Sequence, residues 1–350
     1  MTTAVFCRTC SALMLSLALA ISIVSARTGA TASSSSHLPQ RLSETGLFSD
    51  VASLTIDPRH RAFSPQYPLW SDAAQKRRWV SLPSGTTIDV SDVDAWDFPA
   101  GTRFWKEFSF GGRRVETRLL VKSSDTAWSF ASYIWNEAQT DADLAPSSGL
   151  RNVAEVAPGK QHSIPSVEDC RACHDSARTE ILGFTALQLS DDRDAGAPHA
   201  EPLANGMLTL RGLVDEGLLS PARPELVSTP PRIPSTSPRE RAALGYLSTN
   251  CGSCHNAGGS LASLRLIFRQ PAYGGGLAVT GPSLERKTKW DRPGAVPDTT
   301  TVIDRATPEH SALLFRMRSR RPTSQMPPLG TVVPDHAAVE LVTRWALEDR

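Results

Sequence analysis

The placement of cysteine constrains this chain more than any other feature of its sequence. The six cysteines form three Cys-x-x-Cys pairs, at positions 7 and 10, 170 and 173, and 251 and 254. Histidine follows the second pair and the third pair directly, as His174 and His255, whereas Ser11 follows the first pair. Because histidine occupies only 8 of the 350 positions, chance is a poor explanation for both occurrences. The chemistry of two thiols and an imidazole at this spacing therefore guides the analysis of fold and function.

The Cys-x-x-Cys-His motif is the attachment signature of c-type haem. On a helix, residues i, i+3 and i+4 share one face, so both thiols can bond the haem while the imidazole reaches the iron. The sequence predicts two haem c groups, held by these residues: Cys170, Cys173 and His174 for the first, and Cys251, Cys254 and His255 for the second. The alternatives are a zinc ribbon, which needs pairs about 15–20 residues apart, a thioredoxin-like motif, and structural disulfides.

The first 26 residues have the composition of a secretory signal peptide. Arg8 supplies positive charge, Ala12–Val24 is an uncharged apolar run, and Val24–Ala26 offers a small-residue cleavage site. The run is short for a transmembrane helix, and an uncleaved anchor is the alternative. We expect a periplasmic or otherwise exported protein that loses Cys7 and Cys10 with its signal. No stable transmembrane segment is expected after cleavage.

The composition excludes some classes of function. Lysine and arginine total 37 and aspartate and glutamate total 36, which gives a formal net charge of +1. A nucleic-acid-binding protein would need a basic excess, so no nucleic-acid partner is expected. Hydrophobic residues make up 40% of the chain and charged residues 21%, which is typical of folded domains.

The predicted fold is multidomain, with an N-terminal all-β, sandwich-like domain followed by two small, mostly α-helical cytochrome c-like units. Alternating apolar and polar residues predict strands at Arg103–Phe110 and Arg113–Lys122, joined by the turn Gly111–Gly112, and a further strand at Thr126–Asn136. The predicted divisions are a signal peptide (1–26), a flexible lead-in (27–40), a β-rich domain (41–160), a first haem c unit (161–220), a Pro-rich linker (221–237) and a second haem c unit (238–350).

The predicted second unit carries further features in a characteristic order. Ser237 predicts the start of a helix that leads to Cys251, a Pro-rich loop contains Met326, and Asp335 predicts the start of a closing helix. In this order the segment resembles the class I cytochrome c family. The resemblance implies that Met326 is the second axial ligand of the second haem iron. The alternative for Met326 is a packing role in its loop, and Met317 is expected in the core or at the surface.

The second axial ligand of the first haem has several candidates. Ser166 predicts the start of the helix that bears the first motif. Met207 precedes a short predicted helix, as a distal methionine would, and is the candidate we name. His162 and His199 are alternatives, and a vacant position is a further one.

The chain after the signal also resembles a family of exported bacterial di-haem c-type cytochromes with an N-terminal β domain. The matching stretches are Tyr67–Asp72, Phe98–Thr102, Glu116–Arg118, Tyr133–Asn136, Ile164–Ser166, Leu182–Phe184 and Gln188–Leu189. The resemblance implies this architecture and two haems, but it implies no substrate and no catalytic residue.

Electron transfer is the predicted function. The haems would pass single electrons between periplasmic redox partners, either an exported redox protein or a membrane electron-transfer complex. One alternative is a di-haem peroxidase- or oxidase-type enzyme with an open or exchangeable site at the first haem. Another is a β-domain binding module coupled to electron-accepting haems. No catalytic residue is predicted, since the charged run Asp191–Asp194 is typical of a solvated turn, so enzymatic activity stays an open question.

Overall fold

A computed structural model describes residues 38–274, 284–296 and 299–348. The predicted signal peptide, 1–26, and residues 27–37 of the predicted lead-in lie outside the described residues. From Leu38 onward the chain forms one compact unit. Within the described ranges, every helix is too short or too polar to cross a membrane.

Strands dominate the first half of the described chain. Twelve strands occur in the described residues: β1 (Phe48–Asp50), β2 (Thr55–Ile56), β3 (Arg61–Ala62), β4 (Gln75–Ser81), β5 (Ile88–Asp89), β6 (Arg103–Phe110), β7 (Arg113–Ser124), β8 (Ala127–Trp135), β9 (Ala142–Leu144), β10 (Leu150–Ala157), β11 (Lys160–Ile164) and β12 (Leu219–Ser220). Six of them form an antiparallel sheet in the order β3-β4-β6-β7-β8-β9. Gly111 and Gly112, with φ of 55° and 79°, make the predicted turn between β6 and β7.

Helices follow the sheet in the sequence. The described residues contain α1 (Val167–His174), α2 (Ala186–Leu189), α3 (Leu210–Asp215), α4 (Glu225–Ser228), α5 (Pro238–Cys251), α6 (Ala312–Arg318) and α7 (His336–Ala346). Ser166, Ser237 and Asp335 each accept a hydrogen bond of 3.0 Å from a backbone amide in the first turn of α1, α5 and α7. These side chains satisfy amides that have no partner inside the helix, which confirms the three predicted helix starts.

The two faces of the six-stranded sheet bury different cores. One face packs four large side chains against Leu42, which precedes β1: Trp79, Trp105, Tyr133 and Trp135. The opposite face buries Phe104, Trp128 and Phe130 together with residues that come after the sheet, including Phe184 and Leu213. A third core joins α5, α6 and α7 and includes Tyr67 from the loop before β4.

The predicted fold class is wrong. The chain is a mixed α/β, sheet-rich protein with about 21% helix, and it is not a β-sandwich followed by two small, mostly α-helical units. Residues 161–220 do not enclose a core of their own, because most of their buried apolar side chains join the core of the sheet. Phe184 packs on the sheet, β12 pairs in parallel with β5, and residues 221–237 bury Leu226 and Ile233 completely. The short helices α2 and α3 carry too little apolar area to form a core alone, so they complete the core of the sheet.

Candidate di-haem site

The first Cys-x-x-Cys-His motif lies on α1, where helical spacing places its cysteines and His174 on one side. His174 is partly buried on α1, and the contact of this helix with the sheet includes the ring of Phe130 on β8, whose centre lies 5.1 Å from that of His174. Nδ1 of His174 is hydrogen-bonded to the backbone oxygen of Glu180. Burial of the imidazole lowers the pKa of His174 to about 4. The ring is therefore neutral at neutral pH with Nδ1 as the donor, which leaves Nε2 as the nitrogen suited to bind a metal.

The second motif begins at the last residue of α5, Cys251. The chain keeps helical spacing for one more turn, because the amide of His255 donates to the Cys251 oxygen at 2.8 Å. His255 is buried and packs edge-on against Phe268, with ring centres 5.6 Å apart. Burial, together with the charge of Arg316, lowers the pKa of His255. This imidazole is therefore also neutral at neutral pH, as a metal ligand must be.

Met326 lies at the second motif. The Met326 side chain and Cys251 line the same cavity, whose wall also includes Trp70, Tyr246 and Arg320. A methionine sulfur is a soft ligand that suits haem iron. The folded chain therefore brings together the predicted second ligand and the predicted attachment site. Met317, predicted in the core or at the surface, is 6% exposed and lines this cavity as well.

The two motifs touch each other. The Cys254 sulfur lies 3.9 Å from the backbone oxygen of Ala172, inside the first motif. Interaction between the Cys173 and Cys254 thiols lowers the pKa of Cys254 and raises that of Cys173. Just beyond the motifs, the side-chain nitrogen of Asn256 donates to the Ser176 oxygen at 3.0 Å. Two motifs that are far apart in the sequence therefore form one continuous candidate site.

Two of the candidates for the second ligand of the first haem are engaged elsewhere. His162 is buried, with Nε2 3.0 Å from a Glu116 oxygen and Nδ1 3.8 Å from an Asp72 oxygen. Burial lowers the pKa of His162, but the two carboxylates outweigh burial and raise it. His199 contacts Asp335 instead, with Nε2 2.9 Å from both carboxylate oxygens. Asp335 lines the cavity that Cys251 and Met326 share, so His199 lies on the side of the second motif.

Met207 lies in a turn before α3, where its amide donates to the Ala204 oxygen at 3.1 Å. In the described residues, no hydrogen bond joins it to the first motif. The assignment of Met207 as an iron ligand therefore stays a prediction from the sequence.

Sequence reasoning missed two groups of residues at this site. The first is the segment Tyr67–Asp72, in which the Trp70 amide donates to Asn250 at 2.8 Å and Asp72 accepts from the amides of Val332 and Val333. The second group consists of cationic side chains on the sheet beside α1. The sequence could have revealed them, because Lys106 alternates with Phe104 and Phe108 at strand spacing. It therefore lies on the same face of the strand as two buried rings.

The side chains of the two motifs have the chemistry that haem c attachment requires. All four cysteines of the two motifs are free thiols. Burial raises the pKa of the Cys170 thiol, and it raises that of Cys251 to about 12. Among the described residues, no three His, Cys, Asp or Glu side chains converge as a metal ion would require. Each motif instead offers two thiols for thioether bonds and one imidazole for an axial position.

Comparison of the chain with protein families, curated proteins and solved structures gives no match.

Proposed function

We propose that this chain is an exported di-haem c-type cytochrome that transfers single electrons between redox partners. The partner is an exported redox protein or a membrane electron-transfer complex. The observation that carries this proposal is the contact between the two motifs, in which the Cys254 sulfur lies 3.9 Å from Ala172. Haems attached at neighbouring thiols can exchange electrons directly, because the rate of electron transfer falls steeply with distance.

Each residue of the site has a defined task in this proposal. The four cysteines would hold the two macrocycles, and His174 and His255 would each bind one iron. Met326 would be the second ligand of the iron held by His255, and methionine ligation would raise the reduction potential of that haem and leave no position for a substrate. When bound, haem c supplies a one-electron ferric–ferrous couple, and the protein supplies its ligands and surroundings.

A second candidate function is a di-haem peroxidase- or oxidase-type enzyme. It is favoured because both histidines that were candidates for the second ligand of the first iron contact carboxylates instead. His162 pairs with Glu116, and His199 pairs with Asp335. An iron at His174 would then keep an exchangeable position for a small substrate. Electron paramagnetic resonance of the ferric protein separates the two functions. Two low-spin signals that cyanide leaves unchanged support electron transfer, whereas a high-spin signal that cyanide converts to low spin supports the enzyme.

Haem counting tests the proposal directly. The full chain is produced in a host that attaches c-type haem, purified and denatured, and the covalently retained haem is measured. We expect two haems in the wild type and one in each of the double variants Cys170→Ala/Cys173→Ala and Cys251→Ala/Cys254→Ala. The first cysteine pair provides a matched control, since Cys7→Ala/Cys10→Ala should keep two haems. A wild-type chain that is exported and folded but holds no covalent haem would refute the proposal.

A further inference from the structure

Three cations occupy adjacent positions on the sheet beside α1. In the strand register Arg78 of β4 is paired with Lys106 of β6, and Lys106 is paired with Arg118 of β7. Neighbouring strands lie about 4.8 Å apart, and like charges directly opposite each other are destabilising. A row of three cations across a half-buried sheet face therefore needs anions. We call Arg78, Lys106 and Arg118 the cation row.

Carboxylates of the protein neutralise only part of the cation row. Arg118 pairs with Glu116 at 2.6 Å and Arg78 pairs with Glu201 at 2.8 Å. Arg78 is only 6% exposed, yet its second terminal nitrogen, Nη2, is buried without a hydrogen-bond partner. Lys106, in the middle of the row, forms no ion pair with any described residue, and its ammonium lies over an aromatic ring. The unsatisfied charge is therefore concentrated at Lys106 and at the free side of Arg78.

The surroundings of Lys106 add to this imbalance. Lys76, two residues before Arg78 and on the same face, donates to the Leu69 backbone oxygen at 2.9 Å and pairs with no carboxylate in the described residues. Burial, together with repulsion from Arg78, Lys76 and Arg118, lowers the pKa of Lys106 well below its usual range. A half-buried ammonium without an anion costs free energy. An anion from outside the polypeptide would remove that cost.

The cation row lies where the first haem would be attached. The His174 ring packs on Phe130, and two residues further along β8 lies Ser132, the cross-strand partner of Arg118. Along a strand, two residues span only about 7 Å. A macrocycle held by α1 against this face therefore has the cation row within reach of its edge.

We propose that the cation row, together with Lys76, binds the propionate carboxylates of the haem attached at the first motif. This inference rests on the proposed function, because it requires a haem at Cys170 and Cys173. Carboxylates suit the site chemically, since Arg78 has a free guanidinium nitrogen and Lys106 has an unpaired ammonium. The row orients the macrocycle on the sheet face. Its positive charge also favours the reduced iron, which carries one positive charge less, and so raises the potential of the first haem.

The test measures the midpoint potentials of both haems in the full-length holoprotein by spectroelectrochemical titration. The variant Cys251→Ala/Cys254→Ala, which would keep only the first haem, assigns the two values. Lys106→Met should shift the potential of the first haem downward and leave that of the second within error. Lys106→Arg, which restores the charge, and Lys160→Met, which removes an exposed lysine on β11, should leave both values unchanged. Lys76→Met should also shift the potential of the first haem downward. This variant replaces Lys106→Met in the test if Lys106→Met does not fold.

The outcomes separate this inference from the function on which it rests. Wild-type protein without covalent haem would refute the proposed function itself. Lys106→Met could instead keep two attached haems with unchanged potentials, or Lys76→Met could do so where it replaces that variant. This result would overturn the propionate site and would leave the proposed function standing. A third outcome is that acetate shifts the first potential of the wild type in a saturable way and has no effect on Lys106→Met. That result would show that the row binds a free carboxylate and would also overturn the assignment.

Discussion

The Glu116 carboxylate contacts both Arg118 and His162, and its removal has a predictable effect on the free energy of unfolding. Glu116 is completely buried on β7 and accepts two hydrogen bonds from Arg118, of 3.2 and 2.6 Å. The same carboxylate lies 3.0 Å from Nε2 of His162. Substitution of Glu116 by Gln keeps the size of the side chain and removes its charge, which leaves two cations without their main partner.

The magnitude follows from the pKa of Glu116. Burial raises that pKa, but Arg118 and His162 outweigh burial and lower it from 4.5 to about 2. This difference corresponds to about 3 kcal/mol of folding stability at neutral pH. Breaking one partner from a buried ion pair costs about 3–5 kcal/mol in proteins generally, which agrees. Because the folded-state pKa is depressed, this contribution is present above pH 4.5 and is lost as the pH falls toward 2.

Urea unfolding followed by far-ultraviolet circular dichroism measures the effect. At pH 7 we expect Glu116→Gln to lower the free energy of unfolding by about 3 kcal/mol, and we expect the difference from the wild type to shrink below pH 4.5. Glu137→Gln, which removes an exposed carboxylate just after β8, is the control and should change stability by less than about 0.5 kcal/mol. A loss in Glu116→Gln no larger than the control, or one independent of pH between 7 and 3, would refute the reasoning.

Three further predictions concern other parts of the site. Met326→Ala should abolish the methionine–iron charge-transfer absorption and lower the midpoint potential of the second haem, and an unchanged spectrum would exclude Met326 as a ligand. Gly245→Ala should destabilise the fold by about 1–3 kcal/mol in urea unfolding, because the added methyl group would overlap the Tyr67 ring; wild-type stability would show that the ring moves at no cost. The pKa of His162 is raised above 6.5, so its charge contributes stability that is full below pH 6.5 and is lost as the pH rises through the folded-state value. The stability difference between His162→Gln and the wild type should therefore narrow with rising pH, and a constant difference would contradict this.

Local patterns in the sequence predicted local structure well. The strands on either side of Gly111–Gly112 and the helices that begin after Ser166 and Ser237 are present, because turn and capping preferences act within a few residues. The cysteine spacing also identified the two motifs of the candidate site, since each motif is contained in five consecutive residues, and haem attachment there stays a prediction.

The packing between segments was not predictable in the same way. The apolar periodicity of the helices shows that they have a buried face, but it does not say which surface covers that face. The predicted separate cytochrome-like units failed for this reason, since Phe184 packs on the sheet and β12 pairs with β5. The contact of Cys254 with the first motif and the pairing of Arg78 with Lys106 arise from the same long-range packing. A single sequence carries no direct signal for such contacts.

The central claim is that the two motifs form one site with two neighbouring haems. Electron paramagnetic resonance of the fully oxidised wild type tests it, with the two single-haem variants, Cys170→Ala/Cys173→Ala and Cys251→Ala/Cys254→Ala, as references. Neighbouring irons couple magnetically, so we predict that the wild-type spectrum differs from the sum of the two single-haem spectra. A wild-type spectrum equal to that sum would show that the irons do not interact and would contradict the account.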